Sequence, residues 1–336
     1  MGREHGVLAL VGAALGGTDA LPARARAALK AESFQAAAEH LHRAAQLGTV
    51  LGALHAADID ALSFKGPALG ERLHPAAGHL RPCADLDLLV RPEDVVRARR
   101  ALMGLGYGER HRMPSGQEAR CVALGKESVF ERSGRINVDL HWRLTPPYGP
   151  LGDAPESLWR RAETAVVEGH TVRTLGPEDH FLFLCVHGCR HAWSRLRWIV
   201  DVALFVRRGG LDWCRLERTA VETGCEHLLR AGLLLAHALL GAPLPAAALA
   251  ACAADRLAGA AAGWYERSVF ADDQPRRRRA WLVLLRSGNL ARARELVGAL
   301  LSPTEAEWST ESPVRRQALR LARALAKASG REAAGP

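Results

Sequence analysis

The residues of this chain best suited to chemistry are paired acids. In Asp85-Leu86-Asp87-Leu88-Leu89-Val90 polar and apolar residues alternate at period two, the pattern of a strand in which residues two apart share a face. Asp85 and Asp87 then project together, with Cα atoms roughly 7 Å apart, while Leu86, Leu88 and Val90 enter a core. Two bare carboxylates aimed at one point repel and raise each other's pKa, and a divalent cation between them removes that cost. Magnesium suits such hard oxygen donors and commonly joins a few carboxylates to substrate phosphates, with manganese as the alternative ion. Taken alone, Asp-x-Asp also fits a solvated strand face. A second stretch, Ile136-Asn137-Val138-Asp139-Leu140-His141-Trp142-Arg143, narrows the choice. It puts Asp139, His141 and Arg143 on one face and Val138, Leu140 and Trp142 on the other. Three carboxylates on neighbouring strands are the donors that two-metal catalysis needs, the ions lying roughly 4 Å apart. At a third strand end, Phe64-Lys65-Gly66 supplies a cation and turn amides able to meet a phosphate at a helix N-terminus.

These residues need elements to hold them. The first sixty residues read as helices, with Leu41, Ala45, Leu47, Leu51 and Leu54 at helical spacing. A strand is expected over Ile59 to Phe64, a helix after Gly66-Pro67, a strand over 85–90, and a helix opened by Pro92-Glu93-Asp94 that runs to about Gly104. Arg120 to Arg132 and Ile136 to Leu144 read as two more strands joined near Ser133-Gly134, and Pro146-Pro147 ends the pattern. A short hairpin is expected around Val166 to Leu175. Beyond it the periodicity is helical: Pro177 to Trp193, Leu196 to Arg207, Trp213 to Thr223, Glu226 to Leu240 and Ala/Arg-rich segments, broken at Gly209-Gly210 and Gly241-Ala242-Pro243. The expected fold class is α+β: N-terminal helices over 1–50, a small mixed-sheet α/β domain over 51–150, a larger helical domain over 151–330 and a disordered tail over 331–336.

The ordered combination resembles a known family. Lys65-Gly66 before a helix, Leu80-Arg81-Pro82 leading into Asp85-x-Asp87-Leu88-Leu89-Val90, Arg91-Pro92-Glu93-Asp94, Leu105-Gly106-Tyr107 and Val138-Asp139-Leu140-His141-Trp142-Arg143 look like the uncharacterised nucleotidyltransferase family of the polymerase β-like superfamily. Pro177-Glu178-Asp179, Cys185-x-His187 with His191, and Leu196-Arg197-Trp198-Ile199-x-Asp201 are similar to its helical half, so the resemblance spans about residues 50–245. It implies a minimal mixed sheet with helices, and metal-dependent transfer of a nucleoside monophosphate from a triphosphate to an acceptor hydroxyl. It further implies that Asp85, Asp87 and Asp139 are the catalytic metal carboxylates. Lys65, Gly66, Arg81, His141 and Arg143 are the expected nucleotide contacts. Gly66-Pro67 stands where the superfamily commonly has Gly-Ser, and Gly66 to Asp85 is a longer gap than usual, which leaves phosphate contact to Lys65 and backbone amides.

Composition bounds what else the chain does. Its 336 residues favour about two domains, and 48% hydrophobic with 24% charged residues is an ordinary globular balance. The apolar stretches, Leu228 to Leu240 among them, fall short of the roughly 18 residues that span a bilayer. The net charge of +9 and pI near 9.6 raise nucleic acid as a partner. It is not favoured, because only Lys30, Lys65, Lys126 and Lys327 are lysines and the Ala- and Gly-rich composition reads as coding bias. Seven scattered cysteines suggest reduced thiols and a cytoplasmic setting, although Arg3 with the run Val7 to Gly17 and the small residues near Ala23 weakly imitate a leader. On the 177–193 helix, Cys185 and Cys189 form one stripe and His187 and His191 another, so a single zinc ion cannot gather them. Packing suits the cysteines; cleft or acceptor contact, with Arg195 close by, suits the histidines. Arg276-Arg277-Arg278-Arg279 reads first as a solvated helix start. Walker, nucleophile-elbow and dinucleotide motifs are absent from the sequence. A nucleotide-binding or protein-interaction module without turnover, and an RNA-binding or RNA-modifying protein, are the alternative readings.

Overall fold

The computed structural model describes residues 4–16, 18, 21–152, 154–269 and 281–301; the Arg276–Arg279 run and the 331–336 tail lie outside them. Helices α1 (Leu8–Leu15) and α2 (Ala23–Ala56) pack on each other ahead of the sheet. The sheet is built from β1 (Ala61–Ser63), β2 (Asp85–Val90), β3 (Gly108–Glu109), β4 (Glu127–Glu131) and β5 (Asn137–His141), interspersed with helices α3 (Gly66–Leu73), α4 (Val95–Gly104) and α5 (Glu118–Leu124). Its order is β1-β2-β5-β4-β3, with β2 and β5 parallel and the other neighbours antiparallel. A parallel pair needs a long crossover, and here residues 91–136 supply it.

Alternation along these strands assigns each side chain to a layer. Leu86, Leu88 and Val90 of β2, Ser128 and Phe130 of β4, and Val138 and Leu140 of β5 are buried, and their apolar members join Leu47, Val50 and Leu54 of α2 and Ala98 and Leu102 of α4 in one core. The opposite face divides. Leu62 and Leu89 enter a second core with Phe64, Leu69 and Leu73, whereas Asp85, Asp87 and Asp139 occupy the rest of that face. Full burial of each leucine or valine contributes roughly 1.5–3 kcal/mol, so the apolar face fixes the register that aligns the acids on the other.

After α6 (Glu156–Arg160), the hairpin β6 (Glu163–Val167) and β7 (His170–Thr174) turns at Glu168-Gly169, both with positive φ. Val167 and Val172 reach back into the α2 core, so this hairpin packs with the sheet although it follows the expected boundary at 150. Helices α7 (Pro177–Arg190), α8 (Leu196–Arg208), α9 (Trp213–Glu222), α10 (Glu226–Leu240), α11 (Ala246–Ala254), α12 (Arg256–Ser268) and α13 (Asn289–Leu301) complete the described fold, and those from α7 to α12 build the second core. Cys185 and Cys189 are free and buried there, which bears out their packing role. No helix among the described residues is long and apolar enough to cross a membrane.

The expectation of one strand over Arg120 to Arg132 needs correcting. Residues 118–124 are helix α5, and only 127–131 pair in the sheet. Gly125 makes the break: a Cβ there would lie 2.9 Å from the Trp142 ring, so the chain turns flush against the buried indole before β4 begins. The helix over 177–193 is also shorter than expected. It stops at Arg190, and Ala192 and Trp193, both left-handed, reverse the chain to bury the Trp193 ring.

Candidate active site

The register of β2 and β5 decides how the acids meet. Asp87 lies opposite Asp139 and Asp85 opposite Asn137, so Asp87 and Asp139 are lateral neighbours on one sheet face and Asp85 stands one step along. Asp87 is fully buried. One of its oxygens, Oδ1, receives the Lys65 ammonium and lies 3.2 Å from His141 Nε2; the other, Oδ2, has no hydrogen-bond partner among the described residues. An orphaned carboxylate oxygen in a dry position is costly unless a cation or donor reaches it.

Lys65 arrives from the end of β1. Gly66, at φ +58°, turns the chain into α3, and a Cβ there would approach the Asp85 carbonyl oxygen to 3.2 Å. A side chain would strain this turn both by conformation and by contact, so glycine brings Lys65 down over β2 with Pro67 opening the helix. Phe64 beside it stacks edge-on to both His141 and Phe183, at 5.0 and 5.1 Å between ring centroids, and thereby joins the sheet to α7.

Electrostatics follow from this crowding. Burial disfavours the charge on Asp87, but Lys65 and His141 outweigh it and hold its carboxyl far below the ordinary range. At Asp139 the balance reverses: burial, then the charges of Asp87, Asp85 and Glu127, push it up to about 8 against the pull of Lys65. Asp85 is raised too, by burial and by Asp87, against the pull of Lys65. Burial works against Lys65, yet Asp87 and Asp85 keep its pKa above the ordinary value. Glu127 faces His141 across the β4–β5 ladder, and its Oε2 is 3.0 Å from Nδ1 of that ring. Lys126 and His141 overcome its burial and hold it down at about 2. Sequence reasoning missed Glu127. The signal was its parity: counted from the true start of β4, Glu127 and Val129 fall on the face of Asp139.

The other expected contacts are placed apart from this point. Arg81 is buried in a bidentate pair with Asp201 of α8, with both bonds at 2.9 Å, where it anchors the approach to β2 onto the helical half. Arg143 donates from Nη1 to the carbonyls of Val122 and Gly125 and so closes the end of α5. His187, on α7, and His191, just past its end, pack together. Their rings are 4.5 Å apart by centroid and each is 5.3 Å from Trp198. Burial, with Lys65 next, keeps His187 well below the usual imidazole range. Partial shielding, then Arg190, Lys65 and Lys126, lower His191 to about 4. Arg195 is exposed at the start of α8.

Ligand atoms of Asp87, Asp139 and His141 all lie within 4.8 Å of one another. Together with the orphaned Asp87 Oδ2, this donor set fits a divalent cation. A model of the uncharacterised nucleotidyltransferase family matches residues 1–241, more than two thirds of the chain. The chain belongs to that family. Nucleotidyl transfer is therefore the general chemistry that membership of this family supports, and a nucleoside triphosphate is the substrate the family implies. Comparison with curated proteins and with solved structures returned no match.

Proposed function

We propose that the protein is a divalent-metal-dependent nucleotidyltransferase that moves a nucleoside monophosphate from a triphosphate to the hydroxyl of an acceptor, with Asp85, Asp87 and Asp139 as its essential acids. The observation that carries this reading is the lateral pairing of Asp87 with Asp139 beneath Lys65, one Asp87 oxygen being left without a hydrogen-bond partner among the described residues. Magnesium or manganese, held by Asp87 and Asp139 with Asp85 beside them, would supply positive charge where the phosphates and the attacking oxygen meet.

The chain's own residues do the rest. Lys65, on a turn at a helix N-terminus, exchanges its pairing with Asp87 for a phosphate oxygen as the triphosphate enters. Asp139, beside the acceptor hydroxyl, takes its proton. That oxygen forms a bond to the α-phosphorus while the bond from α-phosphorus to the bridging oxygen breaks, and pyrophosphate leaves in line. The Phe183, His187, His191 and Trp198 wall, joined to the site through Phe64, is where the base or acceptor would lie. Acceptor choice belongs to this helical half, because the sheet's acids and Lys65 handle the phosphates and the aromatic and imidazole rings of the wall suit a base or acceptor.

Calorimetry with a non-hydrolysable triphosphate tests the reading. Binding should require magnesium or manganese and should fall at least tenfold in the Asp85→Asn, Asp87→Asn double variant. Unchanged metal-dependent affinity in that variant would refute the assignment of the acids.

A further inference from the structure

His141 was expected to contact nucleotide, and its surroundings argue for another role. The ring is 4% exposed. Phe64 covers one side edge-on, Asp87 faces Nε2 at 3.2 Å and Glu127 faces Nδ1 at 3.0 Å. A ring enclosed by two carboxylates and an aromatic edge has no open direction from which to meet a triphosphate, and those two acids would repel one. What it does have is a nitrogen within ligand distance of the point shared by Asp87 and Asp139.

The flanking acids strengthen the point. A metal-binding histidine commonly turns its second nitrogen to a carboxylate, which fixes the tautomer and makes the first nitrogen a better donor. Glu127 Oε2 holds that position relative to Nδ1, although Nδ1 makes no aligned hydrogen bond to it. Nε2 lies within hydrogen-bond distance of Asp87 Oδ1; with the ring proton on the Glu127 side instead, its lone pair is free to meet a cation shared with Asp87 and Asp139.

We propose that His141 is a metal ligand, its Nε2 joining one oxygen each of Asp87 and Asp139, and that this nitrogen makes the site select manganese(II) over magnesium. The assignment rests on the reading that these acids hold a divalent cation. Imidazole is a borderline donor that first-row transition ions accept readily, whereas magnesium keeps to hard oxygen. Glu127 is on this account a positioning residue, acting through the imidazole.

The test is pulsed electron paramagnetic resonance of the full chain loaded with manganese(II), together with manganese and magnesium titrations of the same samples. The expected result is nuclear modulation from a directly bound imidazole nitrogen, with manganese bound at least tenfold more tightly than magnesium. His141→Gln should abolish the modulation and cut manganese affinity by tenfold or more, while magnesium affinity changes less. Protein labelled with 15N-histidine gives the same reading without a variant, since the modulation must shift to the 15N pattern if a histidine is bound. Manganese that binds through Asp87 and Asp139 without nitrogen modulation, or with modulation that survives in His141→Gln, overturns this inference and leaves the metal reading intact. Manganese affinity unaffected by Asp87→Asn with Asp139→Asn overturns the metal reading itself.

Discussion

Asp139→Asn should stabilise the protein in the absence of metal, and the amount can be worked from the site. The Asp139 carboxyl is held at about 8, against 3.8 ordinarily, by burial and by Asp87, Asp85 and Glu127. Between those values the folded chain keeps a proton that the unfolded chain has lost. Stability from this group is thus complete below pH 3.8 and drains away as the pH rises toward 8, by about 1.4 kcal/mol per pH unit. By pH 7 the loss reaches about 4 kcal/mol, and about 2–4 kcal/mol after allowance for residual solvent contact. Asparagine has the same shape and no charge, so it removes most of this penalty. Thermal or urea unfolding of parent and variant between pH 4 and 8, with a chelator present, measures the difference. The melting temperatures should coincide near pH 4 and diverge by several degrees at pH 7 to 8, with the variant higher. Adding manganese should raise the parent more than the variant. A variant that is less stable than the parent at pH 7, or a gap that does not grow with pH, would refute the picture of crowded like charges at Asp139.

Other perturbations separate the roles of the neighbours. Lys65→Met removes the cation resting on Asp87, so metal alone should bind roughly tenfold more tightly while triphosphate binds more weakly by about 1–3 kcal/mol; calorimetry of each ligand distinguishes this from a packing role, which would move both affinities together. Arg81→Met leaves Asp201 buried without its partner and should cost about 3–5 kcal/mol in urea unfolding, with recovery when Asp201 is also made apolar. His191→Ala, at an exposed ring, should leave the melting temperature nearly unchanged yet impair acceptor use or nucleotide orientation, and His187→Ala should do the same with a larger loss of stability from its half-buried ring. Unchanged activity per folded molecule in both histidine variants would remove the α7 wall from the site.

What the sequence made legible was the part governed by local periodicity. Period-two alternation places Asp85 with Asp87 and Asp139 with His141 on one face, because the same alternation drives Leu86, Leu88, Val138 and Leu140 into the α2 core. The turn at Lys65-Gly66 and the stripes on α7 were readable for the same reason. The register that sets Asp87 against Asp139 was not, since it depends on how two strands separated by a long crossover slide past each other. Arg81 shows a second kind of blindness. An arginine four positions before a conspicuous acidic strand suggests a phosphate ligand, and only the docking of α8 reveals that Asp201, far along the chain, has claimed it. Glu127 was hidden by a period error: with α5 read as strand, the face count through residues 120–132 carried no meaning.

The central claim is that the acids serve transfer of a nucleotidyl group, and the position of a radioactive label tests it most directly. The protein should be incubated with manganese or magnesium, a cell lysate as the source of acceptors, and triphosphates labelled at either the α- or the γ-phosphorus. The account predicts that α-label passes to an acceptor, that γ-label is released as pyrophosphate, and that both events disappear in Asp87→Asn. Transfer of the γ-label to an acceptor, or α-label transfer that persists in Asp87→Asn, would contradict it.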